Sequence, residues 1–412
     1  MIPELVGQIL LLSGAAIVGM VVHRLLRLDL TLACLGVGVL LGWAVPALGI
    51  DTGIRAHSLK DLVFFIILPV LIFEATWHLN PTLLKRWLSP ILILATLGVL
   101  ISCFITAGLV YLGVGHATGF PWIAALLTGA ILAATDPIAV VSQLKSMNTP
   151  ADLATLFEGE SLFNDGAAVV LFVIIFSFAT GAMAESSNHL MYFATVFLGG
   201  LIFGALLGLL AAIIILLLGK VPATSVVLVF TAFGGFYLAE EALHVSGIMT
   251  IVASALVSRL ALREQETTFL SGIADTWNWL GLLFNSLLFV LMGLVITWSM
   301  FQEQWPAMII AIGAALAGRA LAVGICGLLT KPMSRPISGV WQVLLFWGGL
   351  RGAIAIALVL SLPVSLPYWW TLQAMVFGVV IFSLLVQGPT FKALTRHLER
   401  TPFKNNPPPA SE

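Results

Sequence analysis

The sequence predicts an all-α polytopic membrane protein of about 13 transmembrane helices. Three observations carry this reading: the composition, the spacing of the apolar runs, and the side on which the basic residues collect. Of the 412 residues 60% are apolar and only 9% charged. A water-soluble chain carries about 25% charged residues, so this one cannot cover a folded surface with solvated groups. The formal net charge of −1 excludes a polyelectrolyte partner such as nucleic acid. Cys34, Cys103 and Cys326 lie far apart in apolar stretches and read as core thiols, not as a disulfide or zinc framework.

A helix crosses about 30 Å of hydrocarbon in roughly 20 residues, and the chain breaks into runs of that length at Pro, Gly and charge. Span 1, at 5–22, lacks a basic leader and a small-residue cleavage site and reads as a retained helix. Span 2 covers 30–48, span 3 61–78 and span 4 90–113, the last opening on Pro90. Span 5 covers 121–143, from Pro121 to just before Lys145, and span 6 covers 153–180. Span 7, at 190–218, is long and nearly free of charge. Spans 8 and 9 cover 222–240 and 245–262, and spans 10 and 11 cover 276–298 and 305–329. Span 12 covers 340–362 and span 13 368–394.

One set of loops holds Arg24, Arg27, Lys85, Arg86, Lys145, Lys220, Arg259, Arg263, Lys331, Arg335, Lys392, Arg396, Arg400 and Lys404, and the other only Arg55 and Lys60. The basic side is cytoplasmic, which puts the N-terminus outside and the C-terminus in the cytoplasm. Trp43, Trp305, Trp369 and Trp370 fall near span ends, as an interfacial belt does. The expected organisation is a single transmembrane unit, 1–394, followed by a short cytoplasmic tail, 395–412. Spans 1–6 and 8–13 form two repeats of six; their offset of seven is odd, so the second is inverted, with span 7 as linker. Spans 5 and 12 then correspond, and they have the oddest interiors.

An ionisable group at mid-membrane costs about 2.5–3.5 kcal/mol on insertion scales unless it is paired or hydrated. Glu74, Asp136, Glu158, Glu160, Asp165, Arg319 and Arg351 therefore need a reason, and their distribution over both halves predicts one central cluster. On a helix Glu158, Ser161 and Asp165 share one face, and Glu160 and Asn164 the neighbouring one. The first face is expected to line a wet cavity, and Glu160 to meet an arginine, with Arg319 the best partner. A purely structural ion-pair role for these carboxylates is the alternative, and it suits Glu160 better than Asp165. Pro137 should unwind span 5 near Thr135 and Asp136, leaving carbonyls that could hold a cation; a simple kink with a satisfied aspartate is the rival. Arg351, among Gly348, Gly349 and Gly352, suits neutralisation of half-helix C-terminal ends. Glu74 could reach the cavity directly or through water. His23, His78, His116, His189, His244 and His397 lie in or near loops, which argues against a histidine relay.

Three stretches carry a family resemblance: Ala-Thr-Asp-Pro-Ile-Ala-Val (134–140), Glu-Gly-Glu-Ser-Leu-Phe-Asn-Asp-Gly (158–166) and Gly-Gly-Leu-Arg-Gly-Ala-Ile (348–354). In this order and in these spans they resemble the sodium/proton antiporters of the NhaP type, relatives of the animal sodium/proton exchangers. Leu-Pro-Val-Leu-Ile-Phe-Glu (68–74) resembles the span-3 motif, with Val70 where a second proline is common. The resemblance implies a six-helix core with crossed discontinuous helices (spans 5 and 12), a separate dimerisation domain and a homodimer. It places Na⁺ or Li⁺ on Asp165, with Ser161, Thr135, Asp136 and Glu74 as direct or water-mediated ligands. Asn164 would orient the site, and Glu160 with Arg319 would stabilise it.

The Asn164-Asp165 pair resembles the electroneutral branch; the absence of a long C-terminal regulatory region and of a leader points to a prokaryotic plasma membrane. The implied function is secondary active Na⁺/H⁺ exchange by alternating access, with proton and cation competing for Asp165, no enzymatic reaction and no cofactor. A K⁺/H⁺ antiporter on the same scaffold is the nearest alternative. A cation channel lacks a filter motif, a non-transporting sensor lacks a signalling domain, and an intramembrane aspartyl protease lacks its glycine-flanked aspartates.

Overall fold

The computed structural model of the protein describes residues 2–47, 62–115, 119–147, 149–179, 189–219, 221–263, 265 and 267–400. Among these residues all regular structure is helical. In chain order the helices are α1 (Ile2–Leu26), α2 (Leu30–Ala47), α3 (Leu62–His78) and α4 (81–113). The interrupted α5 follows as α5a (Trp122–Ile131) and α5b (Ile138–Ser146), then α6 (Ala151–Ala179), α7 (His189–Leu218), α8 (Val221–Ala242) and α9 (Gly247–Ala261). The chain continues through α10 (Thr267–Val295), α11 (Trp298–Thr330), the interrupted α12 as α12a (Gly339–Trp347) and α12b (Ala353–Leu360), and α13 (369–400). Among the described residues eight helices are long and apolar enough to cross a membrane on their own, and shorter apolar helices include α3 and α9.

Several helices, α1, α4 and α11 among them, extend beyond the apolar runs because backbone hydrogen bonding continues past the hydrocarbon band. The clearest case is α4, which starts at Pro81 instead of 90: Asn80 Oδ1 accepts from the Thr82 and Leu83 amides at 3.0 and 3.3 Å, and Pro81 takes the first-turn position where no N–H is needed. Pro90 inside this helix leads into a π-type turn at Leu94–Gly98. The helix α13 runs to Arg400, so the tail expected from 395 begins in a helix, and 401–412 lie outside the described residues. Arg259, counted among the loop residues, sits within α9 with its guanidinium 5.7 Å from the Trp77 ring centre. Arg55, Lys60, Lys220, Lys404 and His116 are outside the described residues.

Two groups of helices pack together. The helices α4, α5, α6, α11, α12 and α13 form one, and α1, α2, α3, α7, α8, α9 and α10 the other; α6, α12b and the Ser383–Gln387 turn of α13 touch members of the second group. Small residues set the close approaches. Gly200, Gly204 and Gly208 of α7 lie against the backbone of Ser246, Thr250 and Ser254, and Thr250 Oγ1 and Ser258 Oγ donate to the Gly200 and Gly208 carbonyls at 3.2 and 3.0 Å. The small-residue pattern of α7 is thus used within the chain. All three cysteines are buried.

A Gly204→Val substitution should lower stability by about 1–3 kcal/mol through overpacking against Thr250. Gly324→Ala, whose added methyl meets nothing within 4 Å, is the control expected to keep the wild-type melting temperature in detergent.

Candidate functional site

The site is built on two adjacent helix interruptions. In α5 the helix stops at Ile131 and restarts at Ile138, because the Pro137 ring opposes helical geometry at Asp136. In α12 it stops at Trp347 and restarts at Ala353, across Gly348, Gly349 and Gly352. The two breaks serve one another. Asp136 N donates to the Leu350 carbonyl at 2.8 Å, and Arg351 Nη1 donates to the Ala133 and Ala134 carbonyls at 3.2 and 2.9 Å. The Arg351 charge thereby meets the negative end of α5a, as the sequence predicts. Asp136 Oδ1 accepts from Ile138 N at 3.0 Å, at the positive start of α5b. A Cβ at position 352 would collide with the Asp136 carboxyl, so only glycine lets the two breaks come this close.

Helix α6 supplies the second part. Glu160 is fully buried and forms a two-pronged ion pair with Arg319, with Nη1 to Oε1 at 2.7 Å and Nη2 to Oε2 at 2.9 Å. Arg319 Nε and Nη2 also donate to the Leu345 carbonyl at 3.3 and 3.1 Å, tying α11 to α12a. Asn164 Nδ2 donates to Glu160 Oε1 at 2.9 Å and to Thr135 Oγ1 at 2.7 Å, while its Oδ1 accepts from Thr135 N at 3.2 Å. Thr135 Oγ1 lies 2.9 Å from Ser161 Oγ. An unbroken polar chain therefore runs from Arg319 through Glu160 and Asn164 to the α5 break.

Beside this chain is a cavity of about 450 Å³, walled by α3 and α10 on one side and α5, α6 and α12b on the other. Its polar lining comprises Glu74, His78, Thr135, Asp136, Ser142, Lys145, Glu158, Asp165 and Asn278. Asp165 Oδ1 is buried and has no hydrogen-bond partner among the described residues. Glu74 reaches the cavity directly, with Oε1 3.7 Å from His78 Nε2. Carboxylates and a threonine converging from several helices make an oxygen-rich chamber suited to a hard monovalent cation as transient cargo. Among the described residues no three His, Cys, Asp or Glu side chains are grouped to hold a resident metal.

One expectation is corrected. Ser161 does not line the cavity; it is 2% exposed and turned to Thr135, and the stripe that does line it is Glu158, Leu162 and Asp165. At 100° per residue the 158–161–165 and 158–162–165 sets are equally compact about the helix axis, so rotation alone does not choose between them and the contact with Thr135 decides. His78, expected in or near a loop, is the last residue of α3 and lines the cavity. Residues that the motifs do not mark also serve the site. Ser383 Oγ accepts from Arg351 N at 3.2 Å and donates to Gln387 Oε1 at 2.8 Å, and Gln387 Nε2 donates to the Trp347 carbonyl at 3.1 Å. Both come from a π-type turn of α13, Ser383–Gln387, a feature common near functional sites. A Ser-x-x-x-Gln pair inside an apolar run was the available signal.

The chain matches the family model for the transmembrane sodium/hydrogen exchanger over residues 11–397. The Na(+)/H(+) antiporter ApNhaP of Aphanothece halophytica is 33% identical over 345 residues, covering 82% of this chain but 65% of that protein, just under two thirds of its length. The Na(+)/H(+) antiporter NhaH of Halobacillus aidingensis is 31% identical over 407 residues, covering 95% of this chain and 97% of that one. Among solved structures, the sodium proton antiporter MjNhaP1 of Methanocaldococcus jannaschii superposes with a TM-score of 0.82 at 22% identity, covering 96% of this chain and 99% of that one. That likeness supports the fold.

Removing one side of the buried pair, by Glu160→Ala or Arg319→Ala, should destabilise the protein by about 3–5 kcal/mol, because the other charge is left unpaired. Replacing both with apolar residues should cost less than the two single changes together. Thermal unfolding in detergent measures both; wild-type melting temperatures in the single variants would refute a structural role for the pair.

Proposed function

The chain belongs to the sodium/hydrogen exchanger family, and on that premise we propose that it exchanges Na⁺ or Li⁺ for H⁺ across a prokaryotic plasma membrane. The observation that carries the reading is the unpartnered carboxylate oxygen of Asp165 in a cavity that also holds Glu74, Asp136 and Thr135. A proton and a cation both neutralise a buried carboxylate, and neither binds well while the other is present. If the bundle changes its access side only when Asp165 is neutralised, the two ions are exchanged and cannot leak. No covalent step is required, and no cofactor takes part.

One carboxylate per cycle fits the surroundings of Asp165. Asn164, beside it in sequence, is engaged by Glu160 and Thr135 and adds no charge. This supports electroneutral exchange of one Na⁺ for one H⁺. In the proposed assignment Asp165 is the shared proton and cation site. Asp136, Thr135 and Glu74 supply further oxygens, and Ser161 acts through Thr135. Asn164 positions Thr135, while Glu160, Arg319 and Arg351 hold the scaffold. The chain crosses the membrane 13 times with its N-terminus outside, spans 1–6 and 8–13 forming inverted repeats, and it works as a homodimer. In that orientation the cavity end bearing Lys145 and Glu158 faces the cytoplasm.

Proton release from acid-loaded proteoliposomes on addition of Na⁺ or Li⁺, indifferent to a clamped membrane potential, is the expected result. Response to K⁺ alone would keep the scaffold reading and replace the substrate. Asp165→Asn should abolish exchange while the protein elutes as a folded species in size exclusion; retained exchange would remove Asp165 from its central role.

A further inference from the structure

We propose that Glu158 is an outer cation-capture carboxylate of the cavity, and that Lys145 is its resident counter-charge, which incoming cations must displace. The inference rests on the exchange reading above and extends it to the determinant of apparent cation affinity. Glu158, Leu162 and Asp165 form one stripe of α6 along the cavity wall. At 1.5 Å per residue, the seven positions between the two carboxylates separate them by roughly 10 Å along the helix. Glu158 therefore stands two turns from Asp165, and the exposed side chain of Lys145 marks its end of the cavity as the open one.

Lys145 Nζ lies 2.8 Å from Glu158 Oε1, bridging the end of α5b and α6. The two partners differ in exposure: the Glu158 side chain is 15% exposed and held in the wall, whereas that of Lys145 is 59% exposed. A lysine ammonium on a long, hydrated stem can swing away with little loss, so the carboxylate stays and the cation is replaceable. Glu158 takes no part in the Arg319–Glu160–Asn164–Thr135 chain, and a partly exposed pair of this kind contributes little to stability. The other charged or titratable groups lining the cavity are Glu74 and His78 of α3, Asp136 of α5 and Asp165 of α6. Lys145 is the only fixed positive charge among them, so it controls how negative the cavity is to an arriving cation.

The test compares Na⁺-driven proton flux in proteoliposomes for wild type, Lys145→Gln, Lys145→Arg, Glu158→Gln and the double Gln variant, at constant pH and low ionic strength. Lys145→Gln should lower the half-saturating Na⁺ concentration by about three- to tenfold with the maximal rate preserved, because a freed carboxylate concentrates cations locally. Lys145→Arg should resemble wild type, and Glu158→Gln should raise the half-saturating concentration. The double variant keeps the net charge of the wild-type pair but has no carboxylate to free, so it should lose the lowered half-saturation of Lys145→Gln and lie below Glu158→Gln, which leaves the lysine charge unpaired. An unchanged half-saturation in Lys145→Gln, or a double variant that keeps the lowered value, overturns the inference. Wild-type vesicles without any exchange would instead defeat the function reading. The Na⁺ concentration giving half the thermal shift of purified protein would then test capture by the same ordering of variants.

Discussion

Hydrocarbon offers no hydrogen-bond partner, so a helix broken at membrane depth must have its freed groups satisfied by the protein itself. That constraint is met here by placing two breaks side by side. Arg351, from the α12 break, takes the carbonyls of Ala133 and Ala134 in the α5 break; Leu350 takes the amide of Asp136. Neither interruption could persist alone, because each supplies the charge or the backbone group that the other lacks. The α13 turn at Ser383 and Gln387 completes the accounting by engaging the Arg351 amide and the Trp347 carbonyl. The breaks discharge these obligations between themselves, and Thr135, Asp136 and Gly352 beside the cross-bonds line the oxygen-rich chamber.

Helix α6 separates fixed from available charge by rotation alone. Glu160 and Asn164, four residues apart, turn into the core and are fully hydrogen-bonded. Glu158, Leu162 and Asp165 turn to the cavity, where Asp165 Oδ1 has no partner among the described residues. A carboxylate left so in a low-dielectric setting is poised for whichever cation reaches it, whereas one locked to arginine is not. Under the proposed exchange the same helix carries both the scaffold and the ion site without either compromising the other.

Much of this was legible in the sequence because membrane burial makes each charge conspicuous. The Asp136-Pro137 break, the Glu160–Arg319 pair and the role of Arg351 at helix ends all follow from the cost of charge or unpaired backbone in hydrocarbon. What was hidden has a common cause. Ser161 was assigned to the cavity because a 100° rotation per residue does not say which of two adjacent faces a broken neighbour will claim; Thr135 claimed it. Ser383 and Gln387 are uncharged and carry no penalty large enough to stand out. His78 was masked by its position at a helix end, where a histidine is ordinarily solvated. Pairing between helices remote in sequence was the missing quantity in each instance.

The cavity walls bear on how access could change under the proposed exchange. Thr135, Asp136 and Asp165 all belong to the α4–α6 and α11–α13 group, whose breaks are cross-bonded. Glu74, His78 and Asn278 belong to the facing group. Between the two sets the lining is largely apolar, with Leu68, Leu71 and Ile72 of α3 facing the same space as Ile138, Val141 and Ile354. Apolar surfaces carry no directional bonds, so they can slide with little change in energy so long as water stays out of them. A rigid-body shift of one group would therefore preserve the Thr135–Asp136–Asp165 geometry and alter only its distance from Glu74. In such a shift the bonds from Arg319 through Glu160 and Asn164 to Thr135 would travel together, which would link the buried ion pair to the movement of ions that it never touches.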